Sequence, residues 1–248
     1  MAVKGVEDLK KTVLDQGLCT ACGACASLCP YIDIVGAKAV IIENCGLKEG
    51  QCYTFCPRTY IDVTSLDEKI FGSYRKDLAL GCNSLILKAR AKDAEIRSIV
   101  QYGGTVSVIV TYALESGEID AAVLTKSYDG ISPRPAIVKN RKEVLGCARS
   151  KYLVCPTASD VVKTIKHETG NIGFVGTPCQ VTAVRKMQTS SLKAESSRIK
   201  LIIGLFCTWA LSPQAYEFIR DTVGQARILK LDVPPPPANI FVIKTEKE

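Results

Sequence analysis

Cys19, Cys22, Cys25 and Cys29 are separated by two, two and three residues, and Pro30 follows the last of them. This is the spacing with which thiolates hold cuboidal iron–sulfur clusters. Three thiols at intervals of two fit one tight loop around a corner of the cube, with backbone N–H groups turned toward its sulfides. The fourth leaves with its Pro on the next segment and reaches a neighbouring cube. Gly23 and the small Ala21, Ala24 and Ala26 keep the loop close to the metal. A structural zinc site wants paired Cys-x2-Cys knuckles, often completed by His, and the one histidine, His167, lies far downstream. Iron and sulfide are the expected occupants.

A related half follows as Cys45-x6-Cys52-x3-Cys56-Pro57. It keeps the closing x3-Cys-Pro, lacks one cysteine and carries a short insertion, Gly46 to Gln51. If the halves exchange their last cysteines, Cys19, Cys22, Cys25 and Cys56 hold one cluster. Cys29, Cys45 and Cys52 then supply three ligands for a second. Three outcomes stay open there: a three-iron cluster, a four-iron cluster with a non-cysteine or distant ligand such as Cys82, or no second cluster. The chain has 12 cysteines. Its first residues, MAVKGVEDLKK, show no apolar core of a secretory signal. The thiols are therefore expected in a reducing, cytoplasmic setting, serving metals or catalysis rather than disulfides.

The elements that must position these residues differ along the chain. Up to about residue 70, Cys and Gly are frequent and sustained periodicity is weak. Beyond a linking stretch around Tyr74–Asn83, apolar segments alternate with turn signals. Gly103–Gly104 opens a helix over Thr105–Glu115, which Ser116–Gly117 ends. Ile119–Thr125, Pro135–Lys139, Ile172–Gly176 and Ile199–Cys207 read as strands. Ala158–Glu168 and Pro178–Met187 read as helices, the latter with Pro in its first turn. Ser212-Pro213 begins another helix. Strands alternating with helices imply an α/β layer around a largely parallel sheet.

Composition narrows the classes. Hydrophobic residues make up 47% and charged residues 23% of 248, so a packed core is expected and disorder is not. The longest apolar stretch, Ile199–Leu211, falls short of the roughly 18–20 residues of a membrane span, and Lys200, Gly204 and Thr208 interrupt it. Peripheral association through a partner stays compatible with this. Net charge is +7, from 32 Lys and Arg against 25 Asp and Glu. The basic residues are scattered rather than set in a stripe among aromatics, so no nucleic-acid partner is expected.

Four stretches, taken in order, resemble a known family: Gln101-Tyr102-Gly103-Gly104-Thr105-Val106, Ser150-Lys151-Tyr152-Leu153-Val154-Cys155-Pro156, Gly176-Thr177-Pro178-Cys179-Gln180-Val181 and Gly204-Leu205-Phe206-Cys207. With Arg185-Lys186-Met187 after the third, the set is similar to the beta subunits of coenzyme F420-reducing hydrogenases and F420-linked dehydrogenases, in the version preceded by a two-cluster ferredoxin segment. That version occurs in formate dehydrogenase beta subunits, in the F420-oxidising subunit of membrane dehydrogenases and in a ferredoxin-dependent divinyl chlorophyllide reductase. The resemblance implies an α+β/α/β protein. A small ferredoxin-like 4Fe-4S domain would occupy 1–72 and an α/β FAD domain 73–232. Residues 233–248 would open the C-terminal part of that domain in a truncated chain.

It further implies an FAD that exchanges hydride with coenzyme F420 as substrate and passes single electrons to the clusters. Gly103, Gly104 and Thr105 would approach a pyrophosphate at a helix N-terminus; Lys151 and Tyr152 would face a phosphate or the flavin, and Thr177 and Gln180 a ring edge. Read alone, Thr177 and Gln180 are equally a helix cap, and Lys151 a solvated surface residue. Cys179 and Cys207 fall at the carboxyl ends of two expected strands, where α/β sheets place ligands. The family often adds a Cys-x-x-Cys further on, with which they would hold a third cluster. A redox partner subunit (a hydrogenase or formate dehydrogenase) or a ferredoxin is implied. Besides an F420-linked oxidoreductase, two readings remain: an alkene reductase of the divinyl chlorophyllide type and a non-catalytic electron-transfer adaptor.

Overall fold

The computed structural model describes residues 4–128, 132–190, 193–234 and 237–246. Pro235 and Pro236, part of the expected boundary near 233, lie outside the described residues. The first segment contains α1 (Val6–Leu9), which widens into a π-helical turn over Lys10–Leu14, then α2 (Ala24–Leu28). An antiparallel hairpin of β1 (Ile32–Val35) and β2 (Lys38–Ile41) follows, and then α3 (Gln51–Thr54) and α4 (Val63–Phe71). The hairpin and α4 were not legible in a segment read as lacking periodicity. Asp62 starts α4 by accepting the Ser65 N–H at 3.0 Å, and Gly72, at φ 68°, ends it.

The second part runs α5 (Ala94–Ile99), α6 (Thr105–Glu115), β3 (Ala121–Ser127), β4 (Pro133–Val138), α7 (Arg141–Gly146), a 3₁₀ turn (Thr157–Asp160), α8 (Val161–His167), β5 (Ile172–Gly176), α9 (Pro178–Gln188), α10 (Lys193–Ser196), β6 (Ile199–Gly204) and α11 (Pro213–Thr222). A final antiparallel pair, β7 (Ile228–Asp232) and β8 (Val242–Thr245), stands apart from the main sheet.

The main sheet has the order β4-β3-β5-β6. β3, β5 and β6 are parallel, whereas β4 is antiparallel to β3. The sheet is therefore largely parallel, as expected, with one antiparallel edge strand. The few residues between Ser127 and Pro133 are too few for the crossover a parallel partner needs. All five residues of β5 are buried, as a central strand covered on both faces requires.

Side chains alternate between two cores. Val123, Ile172 and Phe174 face α8 and α9 through Val161, Ile165, Val184 and Met187. Ala122, Leu124 and Val175 face α6 and α7 through Val110, Ala113 and Val144. The cysteine segment is built into the first of these cores: Cys22, Ala24 and the fully buried Phe55 share it. It lies against the α8–α9 face of the sheet and has in addition a small core of its own around Val6, Leu9, Val13 and Ile32.

Candidate functional site

The cysteine loop owes its path to two left-handed residues, Ala21 at φ 48° and Gly23 at φ 90°. At Gly23 a Cβ would lie 2.6 Å from the Pro156 carbonyl oxygen, so only glycine lets the loop rest on the second part of the chain. The Ala158 N–H donates to the Cys22 carbonyl across the same contact at 3.1 Å. Cys19, Cys22, Cys25 and Cys56 line one small cavity, together with Leu9, Val13 and Ile34; the empty space there is about 350 Å³, part of it open solvent. Backbone amides of Ala21 and Ala39 point at the Cys19 sulfur, each at 3.4 Å, and that of Arg58 points at the Cys56 sulfur at 3.4 Å.

Burial pushes the Cys22 thiol up to about 12, and neighbouring Cys179, Cys56 and Cys19 add to the rise. Cys25 is raised by burial and then by Cys22, Cys56 and Cys19. Cys52 is raised by burial and by a different pair, Cys29 and Cys45. The thiols thus fall into two sets, four around the cavity and three beside it. Among the described residues, no three His, Cys, Asp or Glu side chains gather closely enough for a single metal ion. Four thiols spaced around a cavity, with amides aimed at sulfur, are a donor set that fits a four-iron cube. Cys82 lies elsewhere, its Sγ donating to the Ser73 carbonyl at 3.5 Å.

A larger cleft opens at the carboxyl ends of β5 and β6 and encloses about 2110 Å³, part of it open to solvent. Gly103, Gly104, Thr105, Lys151, Thr177 and Gln180 all line it. Gly104, at φ 74°, is the N-cap of α6. The Thr105 hydroxyl is occupied, donating to the Ala89 carbonyl at 3.2 Å. Lys151 is not a solvated surface residue. Its ammonium donates to the carbonyls of Cys147, Ala148 and Arg149 beyond the end of α7, and burial pushes it down to about 8.

Thr177 and Gln180 form the capping box of α9. The Gln180 side chain accepts the Thr177 N–H at 2.9 Å and donates to the Cys155 carbonyl at 2.6 Å. Tyr152 is not among the lining residues. Its hydroxyl donates to Asp232 at 3.3 Å and accepts the Val233 N–H at 3.1 Å. Asp232 also takes Tyr102 at 2.5 Å and Gln101 at 2.7 Å, so one carboxylate ties the final hairpin to the cleft wall. That carboxylate beside it pushes the Tyr102 phenol up to about 12.

Cys179 and Cys207 follow β5 and β6 and line the cleft, as do Cys147 and Cys155. Burial raises the Cys207 thiol and nearby Cys179 adds to the rise, as Cys179 also does for Cys22. Cys19 and Thr20 line both the small cavity and the large cleft. Sequence reasoning did not foresee this shared wall, nor the tie through Asp232, because each joins residues far apart in the chain and no local pattern marks them.

The family model described as coenzyme F420 hydrogenase/dehydrogenase, beta subunit N-term matches residues 86–161, and its C-terminus counterpart matches 169–248. A 4Fe-4S binding domain model matches residues 12–31. The coenzyme F420 hydrogenase subunit beta of Methanococcus voltae is 31% identical over 168 residues, covering 66% of this chain and 57% of that one. A coenzyme F420-dependent sulfite reductase of Methanocaldococcus jannaschii is 28% identical over 211 residues, covering 79% of this chain and 31% of the other. A chain of the F420-reducing [NiFe] hydrogenase complex from Methanosarcina barkeri superposes with a TM-score of 0.58 at 25% identity, covering 64% of this chain and 56% of that one. The chain spans roughly half the length of the hydrogenase beta subunits it matches.

Proposed function

Because this chain belongs to the coenzyme F420 hydrogenase/dehydrogenase beta subunit family and carries a 4Fe-4S binding motif, we propose that it is an iron–sulfur flavoprotein subunit moving electrons between coenzyme F420 and a partner's redox centre. The observation that supports this most is the wall formed by Cys19 and Thr20, which separates a four-thiol cavity from a cleft roomy enough for a dinucleotide.

Cys19, Cys22, Cys25 and Cys56 would hold one 4Fe-4S cluster. Cys29, Cys45 and Cys52 would give three thiolates to a second. In the cleft, Gly103, Gly104 and Thr105 would bring the N-terminus of α6 against the pyrophosphate of FAD, where free N–H groups and the helix dipole favour negative charge. A bound flavin supplies the conversion between hydride and single-electron transfer. The chain's own residues do the rest. Lys151 fixes the loop after α7, and Gln180 joins the start of α9 to Cys155, which holds the floor of the cleft rigid. Cys179 and Cys207 extend the row of thiols from Cys22 into the cleft.

Anaerobic preparation, with iron, sulfide and flavin counted and F420 turnover followed by its fluorescence, tests the proposal. Brown protein that carries flavin and turns over F420 with a one-electron acceptor is the expected result. Flavin-loaded protein inert toward F420 but active on an alkene would favour the divinyl chlorophyllide type of reductase. Clusters without flavin would leave an adaptor. Colourless or zinc-filled protein would sink the reading altogether.

A further inference from the structure

Lys186 sits near the end of α9, half-buried, with its ammonium turned into the cysteine segment. It donates to the Cys56 carbonyl at 2.7 Å, to the Thr59 hydroxyl at 2.9 Å and to the Tyr60 carbonyl at 3.3 Å. The Thr59 hydroxyl itself donates to the carbonyls of Cys56 and Tyr53 at 2.9 and 3.0 Å, closing the turn that carries the Cys56 thiol. Among the described residues, no carboxylate lies against this ammonium, and the ionisable group that faces it is the Cys56 thiol. A cation withdrawn from water is costly unless a counter-charge meets it. Four thiolates around an iron–sulfur core are net negative, so the cage itself supplies that counter-charge. Arg58 also lines the cavity, but it is exposed and water screens its charge.

We infer that Lys186 is a positioning residue for the cluster held by Cys56: an arm from the sheet-bearing part of the chain that fixes the Cys56 turn and raises the reduction potential of that cluster. The inference rests on the proposed function, since it needs the cluster in place. The reduced cluster carries one negative charge more than the oxidised one, so a fixed cation at a ligand favours reduction.

The test is an EPR-monitored redox titration of the full chain prepared without oxygen, with iron and sulfide counted first. A wild-type chain without iron would defeat the proposed function rather than this inference. Lys186→Met, and the shorter but hydrogen-bonding Lys186→Gln, are expected to lower the midpoint of one cluster signal and leave the other in place; Lys186→Arg should restore it. Wild-type iron content with an unmoved midpoint in either neutral variant would overturn the inference. Thr59→Val removes a hydrogen bond from the same turn and no charge, so a shift as large as that of Lys186→Met would overturn it too. Should both neutral variants lose iron, recovery of iron by Lys186→Arg supports a need for charge at this position, and failure to recover overturns it.

Discussion

Each thiol faces particular neighbours, and removing one at a time should report them. Cys56→Ser is expected to lower iron by about four atoms per chain and to spare the site of Cys29, Cys45 and Cys52. Cys52→Ser should do the reverse, and iron analysis with EPR distinguishes the two. Asp67 is a different case. It is buried, and Arg75 grips it with two bonds of 2.6 and 2.8 Å, which hold its carboxyl below the usual range. A depressed carboxyl contributes stability above its unfolded pKa and loses it as pH falls through the folded value. Asp67→Asn should therefore cost about 1–2 kcal/mol at neutral pH and flatten the stability loss below roughly pH 4, read by urea unfolding at several pH values. Among single residues, the cysteine run was legible because its spacing is the message. Tyr152 and Lys151 were not. The partner of one, Asp232, is eighty positions away, and the other is buried by carbonyls that its own loop folds over it.

Helices with punctuation at both ends were read from sequence almost to the residue. α6 runs Thr105–Glu115 as the glycine pair before it and Ser116–Gly117 after it foretold, and α9 starts at the Thr-Pro that caps it. β1 and β2 escaped because four residues each are too short to show a period, and α4 because its Asp62 and Gly72 caps bracket a single short helix inside a cysteine-rich segment. The hairpin also turns on Gly36 and Ala37, both at positive φ, where Asn-Gly would have been the recognisable choice. β4 was found but its direction was not, since strand direction depends on the length of the connection. Two predictions belong to this scale. Gly104→Ala meets Val100 at 3.0 Å and both Ala91 and Ile96 at 3.2 Å, on a backbone that disfavours any Cβ. It should cost about 1–3 kcal/mol and weaken flavin retention, measured by thermal unfolding and by flavin content after gel filtration. Gln180→Ala opens the capping box and frees Cys155, with an expected loss of about 1–2 kcal/mol in chemical denaturation.

At the scale of the molecule, the cysteine segment read from sequence as a separate small domain shares a core with the sheet. Phe55 stands between Cys52 and Cys56 and yet packs in the same cluster as Phe174 and Met187. Phe55→Ala should cost about 3–5 kcal/mol and melt both parts together; two separate unfolding transitions by calorimetry would contradict this. Residues over a hundred positions apart make this core, and neither part's own pattern announces the other. The common boundary at Cys19 and Thr20 also makes each compartment sensitive to what fills the other. A molecule settling in the cleft would touch the loop proposed to wrap an iron cage and would alter its magnetic surroundings. With the proposed cluster in place, its paramagnetic resonance would serve as an internal gauge of cleft occupancy, readable while no turnover takes place.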